Sequence, residues 1–298
     1  MTTQAAAPSS PTASKSRRRL KFIDDPRITP TLIVGLLMIG ALLMFSIVGP
    51  MLVDQKMAVI GSGVPRLPPD AKHLPGTDTQ GRDLWTVLVL GTPNSLKIGL
   101  IAGFVGVGIG LILGMISGFI GGATDTVIRV ISDALLTVPA IAILIVIASN
   151  VDKMTVEMMG VAIALLAWMF PTRVIRSQVL SIRERSYVEV ARANGVGTPG
   201  IIFKEIMPNL MPWVVAAFVG SVAGAILAAV GLEAIGLGAN NANTIGVDIY
   251  WAQYYSAIGR GLWWWWGPPI AMIAFIFMAL FVTSAGMDRF ANPRLRRD

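Results

Sequence analysis

Residues 189–208 read EVARANGVGTPGIIFKEIMP, a polar and basic stretch set between strongly apolar ones. Ala191 and Ala193 favour helix, Gly195 and Gly197 interrupt it, and Thr198-Pro199 has the form of an N-cap followed by a proline in the first helical position. The punctuation predicts two short helices, the second over 199–207 and ended by Pro208. Two short helices held at a membrane surface make a rigid knob, suited to receive a push from a soluble partner.

The rest of the chain supplies the membrane. Of its 298 residues 54% are apolar and only 14% charged, with a mean hydropathy of +0.68, whereas soluble domains carry about 25% charged residues. Apolar runs predict six spans of about 20 residues each, over 31–53, 95–120, 127–148, 155–174, 210–232 and 268–285. The basic run KSRRRLK at 15–21 precedes an apolar segment too long for a signal peptide and without a small-residue cleavage site, so the first span is read as uncleaved with its N-terminus in the cytosol. With six spans both termini are cytosolic. Seventeen of the 24 lysines and arginines then fall on the inside and seven outside, the bias expected for this orientation. It places the 182–208 loop on the cytosolic side. The net charge of +7 is accounted for by these span-end clusters and implies no nucleic acid.

Composition also excludes chemistry. There is no cysteine and one histidine, His73, so neither a disulfide framework nor a His/Cys metal cluster is available. No G-x-x-x-x-G-K-[ST] occurs, so the chain carries no nucleotide-hydrolysing loop of that kind. The GVGIG in the second span lacks the strand and water-facing helix that a dinucleotide site requires. Instead Gly106, Gly110, Gly114, Gly118 and Gly122 recur every four residues, a ridge that lets helix backbones approach closely in lipid.

The 189–208 stretch resembles the EAA loop of bacterial ABC importer permeases. Glu189, Ala191, Gly195, Ile206 and Pro208 fall on that pattern, with Val190 and Met207 as apolar replacements. HLPGTDTQGRD at 73–83, with Gly76, Thr77, Asp78, Gly81, Arg82 and Asp83, resembles the GTDxxGRD signature of the dipeptide/oligopeptide (DppC/OppC-like) branch, and GTPNSLKIGLIAG at 91–103 and DTVIRVISDALLTVP at 125–139 are similar to it as well. The resemblance implies an all-α integral membrane protein, the transmembrane domain of a type I ABC importer. Its parts would be a disordered basic tail (1–26), a first span with an outer segment (27–94), a five-helix core (95–288) and a basic tail (289–298).

The same resemblance implies the partners: a second, DppB/OppB-like permease subunit, two ATPase subunits that bind ATP and Mg, an extracytoplasmic solute-binding protein, a peptide substrate and the lipid bilayer. The chain itself would hold no cofactor and would not be an enzyme. Nickel chelates, glutathione and sugars are alternative cargoes of the branch. A secondary transporter would need an inverted repeat and mid-membrane charges, and a membrane-embedded enzyme would need a convergent catalytic set; neither is evident.

Several residues carry alternatives. His73, Asp78 and Asp83 read as a self-satisfied turn, with a metal set or a contact to the binding protein as the other options. Arg129 and Asp133, four apart on one helix face, can pair with each other or act in gating. Glu233 stands where the family commonly has a small hydroxyl, either solvated or facing the substrate path. Four tryptophans at 263–266 read as an interfacial anchor or a stacking site. Asn292 departs from the family's C-terminal tail.

Overall fold

The computed structural model describes residues 29–70 and 73–291; the regular elements in that range are helices, joined by turns and irregular segments, with one isolated bridge between Thr77 and Asp83. The 1–26 tail, and Asn292 with the rest of the C-terminal tail beyond residue 291, lie outside the described residues. The elements are α1 (Pro30–Leu52), α2 (Leu84–Ile120), α3 (Gly122–Thr137), α4 (Ala140–Ser149), α5 (Val156–Ala167), α6 (Met169–Arg183), α7 (Ser186–Ala193), a single turn α8 (Thr198–Gly200), α9 (Met207–Ala234), α10 (Ile245–Tyr254) and α11 (Trp263–Ala291). Among the described residues four stretches are long and apolar enough to cross a membrane, and the number reaches six where each of the bent pairs α3–α4 and α5–α6 counts as one span.

Each boundary has a local cause. α1 starts at Pro30 behind Thr29, whose hydroxyl accepts from the Leu32 N–H. α2 begins eleven residues before the expected span, because Asp83 caps it by accepting the Thr86 N–H at 2.9 Å. The expected division at 94/95 therefore falls inside a helix. The third span is broken: Pro139 has no N–H and forces Val138 into an extended conformation (φ −83°, ψ 129°), and α3 and α4 meet at 78°. The fourth bends by 41° at Trp168, three residues before Pro171, and continues to Arg183 rather than ending near 174. The sixth starts at Trp263, so the indole run lies within α11.

α2 is the hub, packed against α5, α6 and α9 and flanked by α1 and α3. The glycine ridge explains how. A Cβ on Gly106 would come within 2.6 Å of the Ala167 Cβ, on Gly110 within 2.6 Å of the Pro171 Cβ, on Gly114 within 2.9 Å of the Ile175 Cβ and on Gly118 within 2.8 Å of the Val179 Cβ. Both partners advance by four residues per step, so the ridge meets a matching row on α5–α6. Gly122 is not part of it: it opens α3 at φ +60° with open space around its Cβ position.

The buried side chains form four groups. Two occupy the bundle, around Ile98, Met159 and Leu232 and around Leu96, Ile226 and Ile276. One lies on the cytosolic side around Val179, Val188 and Ile206, and one on the outer side around Leu84, Ala257 and Trp265. The outward face of α1 leaves Leu37, Met44 and Ile47 largely exposed, the surface expected of a lipid-facing helix.

Candidate functional site

The cytosolic elbow joins α6 to α9. α6 ends at Arg183, and α7 starts one turn later behind Arg185. α7 closes in a Schellman arrangement. The Val196 N–H donates to the Ala191 carbonyl at 3.1 Å and the Gly195 N–H to the Arg192 carbonyl at 3.1 Å, with Gly195 at φ +74°. Open space surrounds Gly195, so its left-handed backbone, and not crowding, demands glycine.

The second expected helix does not end at Pro208. The chain is helical without a break from Thr198 to Ala234. Gly197, not Thr198, is the N-cap, and residues Ile201–Ile206 form a π turn in which the Met207 N–H donates to the Ile202 carbonyl, five residues back. Pro208 follows that widened turn inside the continuous helix, where the π register accommodates a residue without an N–H.

Val188, Ile201, Ile206 and Leu210 are buried together with Ile175 and Val179 of α6, so α7 is pinned to the helices on either side of it. Glu189 and Pro208 are exposed and Ala191 is half-buried. Tyr187, Val190 and Phe203 also stay exposed on this polar elbow. Isolated apolar residues in a basic loop carry no periodic signal, which is why the sequence did not single them out.

Polar pairs hold the cytosolic ends of the spans. Asp125 at the start of α3 takes a bidentate hydrogen-bonded pair from Arg176 of α6, and Ser117 of α2 donates to the same carboxylate. The Arg183 guanidinium donates to the Gly118 carbonyl at 2.8 Å. Asp133 faces Arg173 at 3.9 Å, and Arg129 is not its partner. The expected intrahelical pair is thus replaced by links between helices, because the bend at Trp168 brings α6 alongside α3.

On the outer side the six signature residues come together in one buried turn. Thr77 Oγ1 donates to the Val64 carbonyl at 2.6 Å and accepts the Leu67 N–H at 2.8 Å. Asp78, fully buried, accepts the N–H groups of Gln80 (2.7 Å) and Arg82 (2.9 Å) and pairs with the Arg82 side chain. Gly76 and Gly81 take positive φ, and Gly81 lies against the Gly63 carbonyl. Asp83 bonds Thr86 through Oδ2 and the His73 ring at 3.1 Å through Oδ1. His73, Asp78 and Asp83 thus all have partners within the turn, and among the described residues no group of His, Asp or Glu is arranged to hold a metal.

Two further outer features narrow the alternatives that the sequence left open. Glu233 is fully buried at the end of α9, against Gly238 and against Gly246 near the start of α10, and is not solvated. The four tryptophans do not act alike. Trp263 is 58% exposed, while Trp265 is buried, donates its indole N–H to Asp248 Oδ1 at 3.1 Å and stacks on Tyr255. Burial pushes the Asp248 carboxyl up to about 7, against the pull of Arg82 and of the Trp265 bond. Asp248 sits in a segment with little other charge, and a lone acid beside an aromatic run was the available signal for this pair.

The family model for the binding-protein-dependent transport system inner membrane component matches residues 110–297. The chain is 35% identical over 208 residues to the dipeptide transport system permease protein DppC of Alkalihalophilus pseudofirmus, covering 70% of this chain and 68% of that one. It is 29% identical over 265 residues to the DppC protein of Bacillus subtilis, covering 88% and 82%. Among solved structures, inward-facing MetNI, a methionine ABC transporter, aligns with a TM-score of 0.55 at 22% identity, over 71% of this chain and 97% of the MetNI chain, a likeness of fold. With four to six candidate crossings and a family match over more than half its length, the chain belongs to the binding-protein-dependent transport system inner membrane components, as a multi-pass permease subunit of an ABC importer.

Proposed function

We propose that this permease forms half of the translocation pathway of an ATP-driven importer of di- or oligopeptides, and that the 182–208 elbow couples it to the motor. The relatives named for dipeptide transport support the cargo class. The second half of the pathway is a similar permease chain. Two ATPase subunits carry ATP and Mg, and an extracytoplasmic binding protein delivers the peptide. This chain holds no nucleotide and performs no hydrolysis of its own.

The observation that carries the coupling role is mechanical. Glu189, Val190 and Phe203 are each exposed on an elbow whose buried side, Val188 and Ile206, is locked to α6 and α9. Force applied to the elbow cannot be absorbed by the Gly195 turn, whose backbone bonds close it. It passes into the continuous 37-residue helix Thr198–Ala234, which crosses the bilayer. ATP-driven closure of the motor would therefore tilt α9 and α6 together, and hydrolysis would release them.

The test is co-purification of the tagged chain with its ATPases, second permease and binding protein, followed by ATPase and uptake assays with a peptide panel. Gly195→Val, whose β-branched side chain does not tolerate that backbone, is expected to insert normally and lose transport and substrate-stimulated hydrolysis. Normal uptake by that variant overturns the coupling role, and stimulation by a nickel chelate or sugar but by no peptide overturns the cargo.

A further inference from the structure

α3 is attached to its own chain by little apolar surface. Of its 16 residues only Ser132 is buried, while Val127, Val130 and Ile131 are exposed. It packs chiefly against α2 and α6. What fastens it there is polar. Asp125, in the first turn of α3, accepts from two nitrogens of Arg176 on α6 and from the Ser117 hydroxyl of α2. One carboxylate thus joins three helices. The joint is largely withdrawn from solvent: the side chains of Arg176 and Asp125 are 22% and 16% exposed, and Ser117 is buried. A bidentate pair is directional, so it fixes orientation as well as distance.

The other ties of α3 are weaker. Asp133 meets Arg173 at 3.9 Å with side chains 50% and 69% exposed, an ion pair worth little. Beyond it the chain turns through 78° at Val138-Pro139, and α4 leans on α5 and α9 instead. α3 is therefore a strut, clasped at its first turn and bent sharply away at its last.

The two donors of the clasp belong to a closely packed unit. Arg176 lies between Ile175 and Val179, which meet Gly114 and Gly118 of α2, and Ser117 lies between those glycines. Ile175 and Val179 also share the buried group that holds Val188 of α7. A displacement of the elbow can thus reach Arg176 through side chains in contact, and Arg176 hands it to α3 through the Asp125 carboxylate.

We propose that the Asp125–Arg176 clasp is the joint through which the elbow moves the third span: α3 swings with α6 as one piece, about the bend at Val138-Pro139, when the motor shifts α6. The inference rests on the coupling role of the elbow and adds the part that the elbow drives.

The chain contains no cysteine, so spin labels can be placed in pairs. In the full importer in nanodiscs, with cysteine-free partner subunits, Val130→Cys with Ser177→Cys reports the distance between α3 and α6. Ser177→Cys with Tyr254→Cys reports the movement of α6 against the outer end of the bundle. Double electron–electron resonance is recorded without nucleotide and with ATP trapped. In the wild-type background the first distance is expected to stay narrow and constant while the second shifts. Asp125→Asn and Arg176→Gln are each expected to broaden the first distance and to lower uptake several-fold, with ATPase activity close to wild type. The double variant should be no worse than the more damaging single one, since both open the same joint. A first distance that changes with nucleotide in wild type, or stays as narrow in the variants as in wild type, overturns the clasp, as do losses of uptake that add in the double variant. Two variants from opposite partners cover the failure of either one to fold. A second distance that never shifts overturns the coupling role of the elbow instead, and the first distance still decides the clasp.

Discussion

Gly114 of α2 faces Ile175 of α6 so closely that a Cβ on the glycine would stand 2.9 Å from the Ile175 Cβ. The contact is one rung of a ladder in which every fourth residue of α2 meets every fourth residue of α5–α6. In lipid there is no hydrophobic gain in bringing helices together, so association rests on this close packing and on the few polar links beside it.

Gly114→Val is therefore expected to destabilise the bundle by about 1–3 kcal/mol, the usual range for overpacking. Gly108, on the same helix with open space at its Cβ position, is the control: Gly108→Ala should leave stability unchanged or slightly raised. Thermal unfolding of the two variants in detergent compares them directly, and equal midpoints would contradict the ladder.

The outer turn depends on a buried ion pair. Asp78 is fully buried and Arg82 6% exposed. Arg82→Met strands the carboxylate with only its two backbone donors, a loss expected to cost about 3 kcal/mol. The turn packs on the membrane bundle from outside, so the effect should be local. Hydrogen exchange should rise across 54–83 while the α2–α6 ladder stays protected.

Asp248 makes stability depend on pH. An aspartate in an unfolded chain titrates near 3.9, whereas burial raises this one to about 7. Between those values the native state holds a proton that the unfolded state has lost, so stability falls as pH rises from about 4 to 7 and then levels off, by up to about 4 kcal/mol in all. Asp248→Asn keeps an acceptor for the Trp265 indole and removes the titration. The difference in unfolding midpoint between pH 5 and pH 8 should shrink in that variant; an unchanged difference would assign the pH dependence elsewhere.

Gly195 holds the elbow at φ +74°, where a residue with a Cβ loses about 1–2 kcal/mol and asparagine is tolerated best. Gly195→Asn should keep substrate-stimulated ATPase activity in the assembled importer. Gly195→Val should lose it at equal membrane abundance. The same activity in both would separate the elbow's shape from its coupling role.

Much of this architecture was legible before any coordinates. Apolar runs locate the crossings because a bilayer demands about 20 such residues, whatever their neighbours. Positive charges orient them, and the glycine period of four announces a packing face. What misled was punctuation. Pro208 looked like a stop, but the π turn ahead of it lets the helix pass through. Val138-Pro139, read as lying inside a span, is where the chain turns through 78°.

The sequence by itself determined where the chain is apolar, which side of the membrane the elbow faces, and that position 195 needs glycine, since these are properties of a residue and its immediate neighbours. The tertiary structure decided which row the glycines meet, that Arg176 closes on Asp125 while Asp133 turns to Arg173, and that Trp265 and Glu233 are buried and not solvated. Those outcomes depend on helices far apart in sequence being carried to one place by bends at Val138 and Trp168, and a spacing of three or four residues holds no record of what arrives across the gap.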